Sequence, residues 1–122
     1  MERDEAAFAN GHEAARADVA AGRLIYRWRG HAGHWGHWIA NELFVRFGVE
    51  TEGLGICLVD AATTSFNDGY NGVVLVEIDR RQGHDAFNSL VAESRNQPEE
   101  NLWDAKQAWM RHQGPAEPGS VA

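Results

Sequence analysis

The pattern of apolar and polar residues in the first half of the chain predicts helices alternating with short strands. Residues 4–21 repeat apolar side chains at helical spacing, whereas residues 23–29 alternate between the two types as a strand does. Residues 37–47 return to helical spacing, and the apolar run at residues 54–59 is typical of a covered, central strand. A strand, a helix and a strand in this order predict a right-handed, parallel βαβ unit.

Residues 63–82 allow two interpretations. Residues 73–78 follow two Asx-Gly pairs, as the second strand of a hairpin does. The same stretch also has apolar residues at helical spacing, with Thr63 or Thr64 as the capping residue. We favour the helix, because two arginines followed by Gly83 form a strong helix stop and no clear partner strand precedes the segment.

The last third of the chain is predicted to be helical. Asp85 is placed to cap a helix that runs to about residue 95, and Pro98 to begin a final helix. We therefore expect one α/β domain over residues 1–113, followed by a disordered tail at residues 114–122. We expect the small sheet of this domain to have two or three strands, with at least one parallel βαβ unit. Helices are expected to pack on the sheet and to form the C-terminal half of the chain.

Composition narrows the class of protein. The chain has 122 residues, a formal net charge of −7 and one cysteine, Cys57, which lies in the apolar run and is expected to be inert core. The acidic balance opposes nucleic-acid binding, and the arginines at positions 23, 27 and 29 are expected to form a solvated strand face. Because the chain shows neither a signal peptide nor a membrane-length apolar run, we expect a cytoplasmic protein without a membrane span.

The segment at residues 30–38 is the richest in candidate chemistry, with three histidines, two tryptophans and a glycine at every third position. In the predicted βαβ unit it forms a loop at the carboxyl edge of the strands, where open α/β sheets bind ligands. The residues that follow the second strand would meet it there. The predicted ligand-binding residues are His31, His34, Trp35, His37, Asp60, Thr63, Thr64, Asp68 and Tyr70.

Two kinds of ligand fit this loop. A divalent transition metal such as zinc is one, with His34, His37 and Asp60 as ligands. On a straight helix His31 would lie about 9 Å from His37 along the axis, so two histidines three residues apart with Asp60 or Asp68 are the more economical set. A loop with Gly33 and Gly36 would allow all three histidines to meet. An anion is the other, since a glycine-rich loop that enters a helix offers free backbone N–H groups, although the glycine spacing matches no phosphate-binding motif.

A histidine-based enzyme is the alternative function. One imidazole would act as a general base oriented by Asp60 or Asp68, and Thr63, Thr64 or Ser65 would supply a nucleophile, although no GxSxG motif supports this.

A binding protein without chemistry of its own is the interpretation that we favour. It would hold a ligand or a protein partner at the carboxyl edge through the His/Gly/Trp-rich loop. Trp35 is expected to be partly exposed there, whereas the other tryptophans lie on apolar stripes that predict core positions, namely Trp28, Trp38, Trp103 and Trp109. A homo-oligomer is also expected, because a sheet this small leaves edges to cover.

Overall fold

The structure is a computed structural model that describes residues 2–28, 33–52 and 60–112. About 75% of it is helical. The helices are α1 (Glu5–Ala20), α2 (Gly33–Phe47), α3 (Ala61–Gln82), α4 (Ala86–Ser94) and α5 (Glu99–His112), and the strands are β1 (Ile25–Arg27) and β2 (Glu50–Glu52). None of the described helices is both long and apolar enough to cross a membrane.

The prediction of an α/β fold is wrong, because the protein is helical with a minor sheet. In the described residues the sheet has only β1 and β2, which pair in parallel with Ile25 opposite Glu50. The predicted second strand at residues 54–59 lies outside the described residues. The strand that pairs with β1 comes earlier, directly after α2, and only Thr51 of its three residues is buried. A strand with so little apolar character gives no hydrophobic signal.

The helices α1 and α3 form the closest contact in the fold. A Cβ atom added at Gly11 would lie well under 3.0 Å from the backbone oxygen of Phe66, and one added at Gly69 would be equally close to the oxygen of Phe8. No real Cβ atom fits at such a distance, so the two backbones touch at this crossing. The helices also join near their first turns, where the backbone N–H of Asp4 donates to the Ser65 hydroxyl at 2.8 Å.

The other side of α3 fixes β1. The side chain of Asn71 accepts from the backbone N–H of Arg27 at 2.8 Å and donates to the carbonyl of the same residue at 2.6 Å. One amide side chain therefore occupies the free hydrogen-bonding edge of β1, in the way that a neighbouring strand would.

The largest fully buried apolar side chains are Ile25, Ile39, Leu43, Val49, Tyr70, Val74, Ile78 and Leu90.

The helices α2 and α5 pack together on the side of β2, and α4 touches both α2 and α3. An ion pair links α2 to α4, because the two terminal N–H groups of Arg46 donate to the carboxylate oxygens of Glu93 at 3.0 and 3.1 Å. The same guanidinium donates its Nε to Glu42 at 2.7 Å. The hydrogen bonds from Arg46 lower the pKa of Glu93.

Most helix ends follow the sequence signals. Asp4 caps α1 by accepting from the N–H of Ala7 at 3.0 Å, which confirms its predicted role. The helical interpretation of residues 63–82 is also confirmed, although the helix begins at Ala61 and Asp60 is the capping residue. Asp85 precedes α4 but makes no capping hydrogen bond, since it adopts a left-handed backbone with φ 61°. The predicted tail lies outside the described residues.

The crossing predicts that Gly11→Ala and Gly69→Ala each lower the free energy of unfolding by about 1–3 kcal/mol, because the added methyl group forces the two backbones apart. Gly72→Ala is the matched control in α3. Its Cβ would meet nothing within 4 Å, so it should stabilise the protein by up to about 1 kcal/mol through helix propensity. Urea unfolding followed by circular dichroism measures all three variants. Equal effects at the three positions would contradict a backbone contact.

Candidate functional site

Most of the predicted His/Gly/Trp-rich loop is the start of a helix. Since α2 begins at Gly33, His34, Trp35 and His37 lie in its first two turns rather than in a loop. His31 and the side chain of His34 lie outside the described residues. Trp35 is exposed, as predicted, with 44% of its surface accessible. The segment therefore presents a helical face, and its residues are spaced by the geometry of a helix.

His37 belongs to the contact between α2 and α5. Its ring packs edge-on against Trp109, with 5.0 Å between the ring centroids. The indole nitrogen of Trp109 in turn donates to the Thr51 hydroxyl of β2 at 3.2 Å. These contacts give the imidazole a packing role between two helices and the sheet.

Asp60 and Thr63 form the cap of α3. The carboxylate of Asp60 accepts from the backbone N–H of Thr63 at 2.7 Å. Hydrogen bonds from Thr63 hold the pKa of Asp60 below its usual value. Thr63 is exposed, whereas Thr64 and Asp68 are half-buried in α3. Ser65 is buried, and its hydroxyl accepts from the start of α1. A structural role thus accounts for Asp60 and Ser65.

Tyr70 is fully buried, and its hydroxyl donates to the carboxylate of Asp18 at 2.5 Å. Burial is the largest cause of the raised pKa of Tyr70, and the hydrogen bond from its hydroxyl to Asp18 raises the pKa further. The guanidinium of Arg27 lies 4.5 Å from the centre of the tyrosine ring and 5.4 Å from that of Phe66. Tyr70, which was predicted to bind a ligand, is therefore part of a packed cluster of polar and aromatic side chains.

Arg27 and Glu52 close the carboxyl edge of the sheet. They are the last residues of β1 and β2, they stand opposite each other in register, and their side chains pair at 3.3 Å. Arg27 was predicted to lie on a solvated face, but 71% of its side chain is covered, because the accessible fraction is 29%. With Asp18, Phe66 and Tyr70, these two residues form the carboxyl-edge cluster, in which Arg27 pairs with Glu52 and the Asp18 carboxylate accepts from the Tyr70 hydroxyl. Sequence spacing gave no signal for this pairing.

The described residues contain no group of three or more His, Cys, Asp or Glu side chains arranged to hold a metal ion. His31 and the His34 side chain were outside that search. The zinc site with His34, His37 and Asp60 therefore stays a prediction, as does the histidine-based enzyme.

The exposed apolar residues gather on one helix pair. Of the six large hydrophobic residues that are exposed in the described parts of the chain, five lie on α2 and α5, and the sixth is Val76 of α3. The five are between 44% and 63% accessible and are called here the α2–α5 apolar surface: Trp35, Phe44, Val45, Trp103 and Met110. Such residues are common at protein interfaces.

The predicted core positions of the tryptophans are confirmed for Trp28 and Trp38, which are buried. Trp109 is half-buried. For Trp103 the prediction is wrong, since half of its surface is accessible. It follows Leu102, and one residue on a helix rotates the side chain by about 100°, away from the face that packs on α2.

Comparison with known proteins gives no relative: no family model, no curated protein and no solved structure matches this chain.

The carboxyl-edge cluster predicts that Tyr70→Phe lowers the free energy of unfolding by about 1–2 kcal/mol at pH 7, because a hydrogen bond to a carboxylate is lost. The raised pKa favours the neutral hydroxyl in the folded protein. The stabilisation by this hydroxyl is complete below about pH 10, which is the pKa of tyrosine in the unfolded chain. It is lost as the pH rises from there towards the higher pKa of Tyr70 in the folded protein.

The stability difference between wild type and Tyr70→Phe should therefore shrink above pH 10, as measured by urea unfolding at several pH values. Asp18→Asn is the companion variant, because it removes the charge and keeps a side chain of the same shape. An unchanged stability of Tyr70→Phe at pH 7 would show that the hydroxyl contributes nothing.

Proposed function

We propose that the protein is a binding module for another protein, with the α2–α5 apolar surface as its contact region. The observation that carries this proposal is the placement of five of six exposed large hydrophobic residues on one pair of packed helices. Trp35, the residue expected at a binding site, belongs to this set. The proposed contact region lies on α2 and α5 rather than at the strand edge, where Arg27 pairs with Glu52.

Two residues of this surface share one face of α5. Trp103 and Met110 are each 50% accessible, and they lie seven residues apart, which places them on one helix face about 10 Å apart along the axis. Tryptophan and methionine are enriched at interfaces, and a few such anchors dominate the free energy of binding. Both are therefore suited to fill pockets of a partner.

Charge indicates the chemistry of the partner. Three exposed acidic residues of α5 flank Trp103, namely Glu99, Glu100 and Asp104. The ammonium group of Lys106 lies 5.6 Å from the centre of the Trp103 ring. With a formal net charge of −7 on the chain, the fitting occupant is a segment with apolar side chains flanked by lysine or arginine. The same net charge opposes the association of two copies.

The experiment uses a labelled amphipathic helical peptide of lysine and leucine, with a glutamate and leucine peptide as its control. We expect Trp103→Glu and Met110→Glu each to weaken binding of the lysine peptide at least about tenfold in fluorescence anisotropy. Val76→Glu, at the exposed hydrophobic residue outside the surface, should change the affinity less than about twofold.

This comparison separates specific docking from general attraction between opposite charges. All three variants add one negative charge, so a purely electrostatic contact would tighten in each of them. Tightening in Trp103→Glu, or equal weakening in Val76→Glu, would therefore overturn the proposal. A wild-type dimer in sedimentation that Trp103→Glu converts to a monomer would also overturn it, by showing that the occupant is a second copy. Circular dichroism confirms that each variant is folded.

A further inference from the structure

The helices α1 and α3 line an open groove next to their glycine crossing. Its volume is about 320 Å³, within the range of small-molecule sites. The lining residues are His12 and Arg16 from α1, and Gly72, Val73, Val76 and Glu77 from α3. This groove belongs to neither the carboxyl-edge cluster nor the α2–α5 apolar surface.

We propose that the groove binds a small carboxylate with a short branched apolar chain. Arg16 and His12 lie four residues apart on α1 and so share a helix face. Within the described residues neither side chain has a hydrogen bond, ion pair or ring contact. A guanidinium without a partner is well suited to a carboxylate, because its planar N–H groups match the two oxygens.

The acidic residue of the groove does not oppose an anion. The carboxylate of Glu77 accepts from Arg80 at 3.0 Å and from Arg81 at 2.5 Å. These hydrogen bonds lower the pKa of Glu77 to about 2, so the group stays ionised and its charge is balanced by two guanidinium groups. Glu77 is therefore already paired with arginines outside the lining, which leaves Arg16 as the charged group of the lining that is open to a ligand.

The apolar part of the ligand would rest on α3. Val76 is 69% accessible and Val73 is half-buried, so both can contact an aliphatic chain. Gly72 is an exposed residue of the groove lining, and a Cβ there would meet nothing within 4 Å. Unlike Gly11 and Gly69, this glycine is not required by a close backbone contact. It weakens the helix by about 1 kcal/mol relative to alanine, and what it provides is open space in the groove.

The test is a titration of the full chain with isovalerate, followed by amide and histidine NMR signals. We expect saturable shifts at His12 and at residues 72–77, with none at His84, which is exposed outside the groove. Arg16→Gln should weaken binding at least about tenfold, through loss of the charged hydrogen bonds. Arg23→Gln, at another exposed arginine, should leave the affinity unchanged.

Two further probes examine the apolar half of the proposal. Gly72→Leu should abolish the isovalerate shifts while circular dichroism and thermal unfolding stay close to those of Gly72→Ala, because the leucine occupies the groove. Inorganic phosphate should bind more weakly than isovalerate. Equal binding of phosphate, or isovalerate shifts that persist in Arg16→Gln or Gly72→Leu, would overturn the proposal. These outcomes do not depend on Trp103 or Met110, so they are distinct from the test of partner binding.

Discussion

The backbone contact between α1 and α3 is the constraint on which the rest of the structure depends. Gly11 and Gly69 have no Cβ, so the two helices approach until each glycine faces a backbone carbonyl of the other helix. This contact fixes the position of α3, whose remaining faces hold β1 through Asn71 and bury Tyr70. The loss of helix propensity at two glycines, about 1 kcal/mol each, is the consequence of a crossing that no larger residue allows.

A second layer of constraint comes from the carboxyl-edge cluster. Tyr70 reaches back to Asp18 of α1, and its ring supports the guanidinium of Arg27, which pairs with Glu52. One chain of contacts therefore joins α1, α3 and the ends of both strands. Because Arg27 pairs with Glu52 and Tyr70 with Asp18, the edge that carries ligands in larger open sheets serves here to hold a two-stranded sheet against a helix.

The surfaces that remain open differ in chemistry because they belong to different helix pairs. The pair of α2 and α5 presents exposed aromatic and aliphatic side chains, with exposed acidic residues near Trp103 on α5. The pair of α1 and α3 presents Arg16 and His12 above a glycine and two valines. The exposed apolar residues and the groove therefore belong to different helix pairs, and the occupants that we propose for them differ accordingly.

The sequence by itself determined the helices and several of their ends. Apolar spacing together with start and stop signals predicted all five helical segments, and Asp4 and Gly83 marked two boundaries correctly, because capping acts over a few residues of the same chain. The burial of Trp28 and Trp38 followed from the same periodicity. Of the candidate site, the glycine-rich surroundings of Trp35 also predicted its exposure correctly.

Only the tertiary structure decided the sheet, the role of the glycines and the exposed face of α5. The strand at residues 50–52 is short and mostly polar, so the apolar run after it attracted the prediction instead. From the sequence alone, Gly11 is a residue that lowers the helix propensity of α1. Its role in packing is visible only when the backbone of α3 lies against it. Trp103 lies beside an apolar stripe, and which of two adjoining stripes is buried depends on where the neighbouring helix packs. Each of these features is a relation between segments far apart in the chain, and local periodicity carries no information about such relations.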